Sequence, residues 1–172
     1  MDMAHISMLL EEENYFVLHA PRQTGKTTCL LALMAHLNKQ GHYRALYANI
    51  EGAQAAREHV QRGVDTVADA IAASAEVYLQ DTFLSEWLAT HRRKYSAESL
   101  LRRLLQVWST RSDQPVVLFL DEIDALVGDT LVSVLRQIRA GYAQRPSAFP
   151  SSIVLCGVRD VRDYRIHTKN KD

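Results

Sequence analysis

An excess of charge of either sign is missing: lysine and arginine number 20, aspartate and glutamate 20. A balanced chain carries no net field that would favour nucleic acid or an anionic membrane over other partners. Cysteine is scarce, with only two in 172 residues. Cys29 and Cys156 show no C-x-x-C or Cys/His spacing suited to a metal, so both read as small buried apolar residues. No apolar stretch approaches the roughly 18 residues that a membrane span requires. The N-terminus, with Asp2 and three glutamates at 11–13, lacks the basic start of a signal peptide. A cytoplasmic location without membrane association is the expectation. Internal repeats and low-complexity segments are lacking too. Aromatics do not interleave with His91-Arg92-Arg93-Lys94 or with Arg102-Arg103, which weighs against a motor on nucleic acid. The 91–94 cluster reads as a solvated helix end.

What is there supports one core. With 47% hydrophobic residues over 172 positions, the chain falls in the range of a single domain spanning 1–172. Patterning predicts a helix near 3–12, a strand at 15–20, and a helix at about 26–40 that ends at Gly41. A strand over 43–50 and an alanine-rich helix over 53–80 follow. Residues 81–95 are less regular, and Ser96-Ala97-Glu98-Ser99 opens a helix that runs to about Arg111. Pro115 breaks the chain before Val116-Val117-Leu118-Phe119-Leu120, a continuous apolar run of the kind buried on both faces of a parallel sheet. A helix at about 129–144, with Asp129 as N-cap, leads past Pro146 and Pro150 to a last apolar strand at 153–158. Alternating strands and helices imply a three-layer α/β/α fold with a mainly parallel sheet. The charge-dense end, 159–172, has no further apolar run.

Between the first strand and its helix lies Ala20-Pro21-Arg22-Gln23-Thr24-Gly25-Lys26-Thr27-Thr28. This is a phosphate-binding loop in its expected setting. A triphosphate needs several donors converging without bulky side chains between them. Gly25 lets the backbone come close, Lys26 brings charge to the β and γ phosphates, and the Thr27 hydroxyl is placed to hold Mg²⁺. The first glycine of G-x-x-x-x-G-K-[ST] is replaced by Ala20, which requires a negative φ there. Directly after the apolar run at 116–120 come Asp121-Glu122-Ile123-Asp124, in the form of a Walker B motif. Strand carboxyl ends share one side of a parallel sheet, so the two motifs converge on one crevice. Asp121 can hold Mg²⁺, and Glu122 is positioned to orient or deprotonate the water that attacks the γ phosphate.

With both motifs present, the chain resembles P-loop ATPases of the additional-strand, catalytic-glutamate division, which includes AAA and STAND-type ATPases. It is similar over nearly its whole length to bacterial AAA-like ATP-binding proteins whose loop has the form [GA]-P-R-Q-T-G-K-T-T. The resemblance implies ATP and Mg²⁺ as ligands, a P-loop NTPase sheet ordered 5-1-4-3-2, and a γ-phosphate sensor at the end of the strand between those bearing the two motifs. Arg159, in Gly157-Val158-Arg159-Asp160, is the sensor candidate beside the alternative of a surface arginine. No finger is chosen among Arg136, Arg139 and Arg145. The fifth strand and the lid are not visible in the sequence, so a C-terminally incomplete domain, or a first strand at the sheet edge, is expected. An uncovered edge invites pairing with a second copy or a protein partner. ATP is favoured over GTP by the division's Asp-Glu pair and by the lack of an Asn-Lys-x-Asp motif. The function implied is Mg²⁺-dependent ATP hydrolysis coupled to conformational change; the alternative is a nucleotide-binding switch with little turnover.

Overall fold

The computed structural model of the protein describes residues 2–158. Four apolar runs become parallel strands: β1 (Phe16–His19), β2 (Arg44–Asn49), β3 (Val116–Asp121) and β4 (Ser152–Gly157). Their order in the sheet is β1-β4-β3-β2. This reproduces the 1-4-3-2 part of the expected order, with β4 inserted between the two motif-bearing strands. Register pairs Leu118 with Ile153 and Asn49 with Asp121, so the carboxyl ends of β2 and β3 finish level. Every residue of β3 and β4 is buried, which is why their sequences read as unbroken apolar runs rather than alternating ones.

Side-chain alternation divides the core between the two faces of the sheet. Ala45, Tyr47, Val117, Phe119, Val154 and Cys156 face α1 (Met3–Glu11) and α2 (Lys26–Gln40), where Ile6, Leu10, Leu30, Leu33 and Leu37 meet them. On the opposite face Leu46, Leu118, Leu120 and Leu155 pack against α3 (Val60–Leu79), α4 (Phe83–His91), α5 (Ala97–Arg111) and α6 (Gly128–Gly141). The three layers expected from the sequence are therefore present.

Four local readings need correction. The helix over 53–80 is two elements: a 3-10 segment at Glu51–Ala56, a break, and then α3. The break falls at Arg57, whose φ of 47° cannot continue a helix. Residues 81–95, read as irregular, contain α4, whose Leu84, Trp87 and Leu88 are buried. Asp129 is not an N-cap; α6 starts one residue earlier, at Gly128, with Val127 preceding it. Cys29 is only half-buried, whereas Cys156 is fully buried and its thiol is pushed up to about 12, mainly by burial and then by the Asp121 charge.

The outer edge of β2 is closed by α2. Asn38 donates through Nδ2 to the Ala45 carbonyl (2.9 Å) and accepts from the Ala45 N–H at Oδ1 (2.8 Å), so one amide side chain satisfies both backbone groups. Among the described residues β1 forms the other edge, one of the two alternatives left open by the sequence. A membrane-spanning helix is not found among the described residues.

Gly63, inside α3, packs closely against Thr130 of α6. A Cβ there would lie 2.2 Å from Thr130 Cγ2. Thr130 cannot turn aside freely, because its hydroxyl donates to the Arg57 carbonyl at 2.7 Å. Helix propensity alone would favour alanine over glycine by about 1 kcal/mol, but overpacking costs about 1–3 kcal/mol. Gly63→Ala is therefore expected to destabilise the protein, read as a lower midpoint in urea denaturation. A raised midpoint would mean that α3 and α6 are not in contact at this point.

Candidate functional site

The chain leaves β1 at His19 and turns through residues 20–25 into α2. Ala20 is not among the residues with positive φ, so the replaced glycine costs nothing at that position. The loop instead places its left-handed residues at Gln23 (φ 62°) and Gly25 (φ 75°). Alternation of hands along a loop points successive N–H groups inward, toward an anion. The Thr24 hydroxyl donates to the Pro21 carbonyl (2.9 Å) and closes the loop from within.

Gly25 caps α2 without a side chain, and the first intrahelical bond runs from the Cys29 N–H to the Gly25 carbonyl (3.0 Å). The N–H groups of Lys26, Thr27 and Thr28 are left without an intrahelical acceptor. No acidic residue occupies the first turn of α2 to compete for them. The positive end of the helix dipole is therefore open to an incoming anion.

At the end of β3 the Asp121 carboxylate is completely buried. Each of its oxygens takes two donors. Lys26 Nζ lies 3.2 Å from Oδ1, which also accepts the Glu122 N–H (3.0 Å). Oδ2 accepts from the Thr27 hydroxyl (2.8 Å) and from the Tyr47 hydroxyl (3.0 Å). Burial, and then the Asp121 charge, raise the Tyr47 phenol well above its ordinary value, which keeps it protonated and donating. Lys26 and Thr27, from the loop, thus meet Asp121, from the acidic motif, as the sequence predicted.

Glu122 adopts the left-handed conformation (φ 62°, ψ 41°). A residue with a Cβ costs about 1–2 kcal/mol there. That geometry turns its half-buried carboxylate into the cleft rather than along the next helical turn. The turn is anchored by Asp124, which accepts the Val158 N–H and so ties the end of β4 to the end of β3. Gly157 makes this approach possible, since a Cβ there would stand 2.6 Å from Asp124 Oδ1.

The cleft between the motifs has a volume of about 340 Å³ and is lined by the loop from Pro21 to Thr28 together with Glu51, Glu122 and Val158. Ala20 lines instead a neighbouring hollow of about 350 Å³, bounded by His5, Ile6, Leu18 and Cys29. Arg159 lies outside the described residues. Within the 91–94 cluster, Arg92 pairs with Asp69, His91 stacks on Trp87 with centroids 4.8 Å apart, and Arg93 and Lys94 are exposed. Arg145 lies over the Tyr142 ring.

Sequence reasoning missed Tyr47, Glu51 and Asp124. Tyr47 alternates into the α2 face, and Glu51 lies two residues beyond Asn49, whose side chain accepts the Glu51 N–H (2.8 Å). Their place in the site shows only once β2 is known to lie beside β3. Asp124 was visible in the motif but had no assigned task.

As for a metal, no group of three or more His, Cys, Asp or Glu side chains among the described residues could hold one. The donor set on offer is one carboxylate and one hydroxyl, 2.8 Å apart. Such hard oxygen ligands suit Mg²⁺, which takes the rest of its shell from phosphate and water.

A model of the family described as "AAA domain" matches residues 10–164 of the chain. No curated protein matches it.

Backbone strain at Glu122 yields a test independent of any ligand. Glu122→Gly removes the left-handed penalty and is expected to leave stability unchanged or to raise it by up to about 1 kcal/mol, whereas Glu122→Val should cost about 1–2 kcal/mol. Equal losses in urea denaturation for both would show that φ at this position is not positive.

Proposed function

Because the chain belongs to the AAA domain family, a family of nucleotide-binding P-loop ATPase domains, we propose that it binds ATP with Mg²⁺ in the cleft between residues 20–28 and Asp121-Glu122 and hydrolyses it. Hydrolysis is coupled to a conformational change in a larger assembly. The observation that carries this reading is the meeting of Lys26, Thr27 and Asp121 at the open start of α2, with Glu122 lining the same cleft. Two apolar clusters flanking one sheet support treating the described residues as part of a single domain.

In this proposal the loop N–H groups and Lys26 hold the phosphates, and Thr27 and Asp121 hold Mg²⁺. The mostly apolar hollow beside the loop, between α1 and β1, receives the base. Lys26 must exchange its partner: in the structure it neutralises Asp121, and with nucleotide bound it turns to the phosphates. Mg²⁺, when bound, supplies the positive charge that offsets both Asp121 and the phosphate oxygens. Glu122 is not a ligand in this scheme. Its carboxylate accepts a proton from the attacking water or orients it, across a cleft that its left-handed backbone faces. Arg159 is retained as the proposed γ-phosphate sensor.

Calorimetric titration of ATP and Mg²⁺ into the full chain, followed by phosphate release, tests the proposal. Lys26→Ala is expected to abolish binding, since it removes the charge that meets the phosphates. Glu122→Gln is expected to bind as the wild type does and to lose turnover by about 10²–10⁴-fold. Normal hydrolysis by Glu122→Gln would overturn the assignment of Glu122. Binding without phosphate release in the wild type would make the chain a nucleotide-dependent switch.

A further inference from the structure

Among the described residues Tyr47 is the one tyrosine buried in the core, and its hydroxyl is spent on a single acceptor, Asp121 Oδ2 at 3.0 Å. Its N–H donates to Met34 Sδ (3.2 Å), and its ring meets Tyr78 edge-on, with centroids 6.3 Å apart. Backbone and ring are therefore both fixed before the hydroxyl is considered. The phenol approaches Asp121 from within the α2-facing core.

The four donors to Asp121 differ in what nucleotide would ask of them. On the reading proposed above, Lys26 leaves for the phosphates and the Thr27 hydroxyl oxygen turns a lone pair to the metal. The Glu122 N–H belongs to the turn that carries Glu122 and serves only Oδ1. Tyr47, whose hydroxyl also lies against that of Thr27, is the one side-chain donor with no task on the phosphates or the metal. We infer that Tyr47 is the positioning residue of the metal site: its hydroxyl keeps the Asp121 carboxylate in one orientation when Lys26 exchanges Asp121 for phosphate, so that metal binding need not first reorder a buried carboxylate. A phenylalanine at this position would fill the same space and leave Oδ2 with a donor that is itself a metal ligand. This inference rests on the proposed nucleotide site and deepens it.

The test separates metal affinity from nucleotide affinity. With a fluorescent ATP analogue bound to the full chain, Mg²⁺ is titrated and its half-saturating concentration recorded; analogue affinity is measured separately in excess EDTA. Tyr47→Phe is expected to raise the Mg²⁺ half-saturating concentration about tenfold or more, as the loss of one hydrogen bond to a carboxylate would, with metal-free affinity unchanged within about twofold. Tyr78→Leu, which removes the ring contact but not the hydroxyl, should leave the Mg²⁺ requirement as in the wild type. A purely structural role for Tyr47 would weaken metal-free and metal-dependent binding together, and that result overturns the inference. So does an unchanged Mg²⁺ requirement in Tyr47→Phe while the wild type responds to Mg²⁺, which leaves the proposed function standing. A wild type that binds the analogue in neither condition overturns both.

Discussion

Everything about the cleft depends on one buried negative charge. A fully buried carboxylate without partners would cost many kcal/mol, and proteins avoid it by pairing or by protonation. Here Asp121 takes four donors from four different residues: Lys26 and Thr27 at the start of α2, Tyr47 on β2, and the backbone of Glu122. The acid thereby pins the phosphate loop, the neighbouring strand and its own turn to one point. The pairing is worth little as net stability, since desolvation offsets most of the attraction. Its consequence is geometric: the loop is held in register with the acidic motif before any nucleotide arrives.

The strand order makes that contact possible. β1 and β3 are not neighbours, because β4 lies between them. A loop leaving β1 therefore reaches β3 only through the helix that follows, and the first two residues of α2 span the gap to Asp121. The end of β4 must then stay small and low. Gly157 gives the Ala20 N–H an acceptor (3.3 Å) on one side and admits the Asp124 carboxylate on the other. Placing a strand between the two motifs separates them by one strand, and the glycine at its end leaves room for the Asp124 carboxylate and the Ile123 side chain.

Much of this was legible in the sequence, for reasons that differ by element. Residues 116–120 and 153–158 were plain because strands buried on both faces have no polar positions to blur them. Residues 20–28 and 121–122 were legible because phosphate and metal chemistry allow few side chains at fixed spacings. The break at Arg57 was hidden because the alanines just before it suit a helix, and the left-handed residue that ends the 3-10 segment is an arginine rather than a glycine. Tyr47 was hidden for another reason. A tyrosine in an alternating strand reads as core, and only the adjacency of β2 and β3 reveals that its hydroxyl ends at Asp121.

Backbone strain is distributed unevenly, and its placement bears on how the cleft is connected to the rest of the molecule. Of the non-glycine residues with positive φ, Gln23 and Glu122 line the cleft and Arg57 ends the segment that begins at Glu51. Strain of this kind persists where the surroundings over-determine the conformation. Around Arg57 they do. Its carbonyl is held by Thr130 on α6, and Thr130 is wedged against Gly63 on α3. At the other end of the segment the Glu51 N–H is held by Asn49, the residue paired with Asp121 across the sheet. The stretch from Glu51 to Arg57 is thus a short strap, fastened at the cleft by the end of β2 and at the helical layer by α3 and α6. Asn49 stands beside Asp121 in the sheet, so one fastening lies a single strand away from the buried charge, whereas the other, at Thr130, is held by close packing. Interiors packed at this density do not yield gradually, so the strap fixes the end of β2 relative to the contact between α3 and α6.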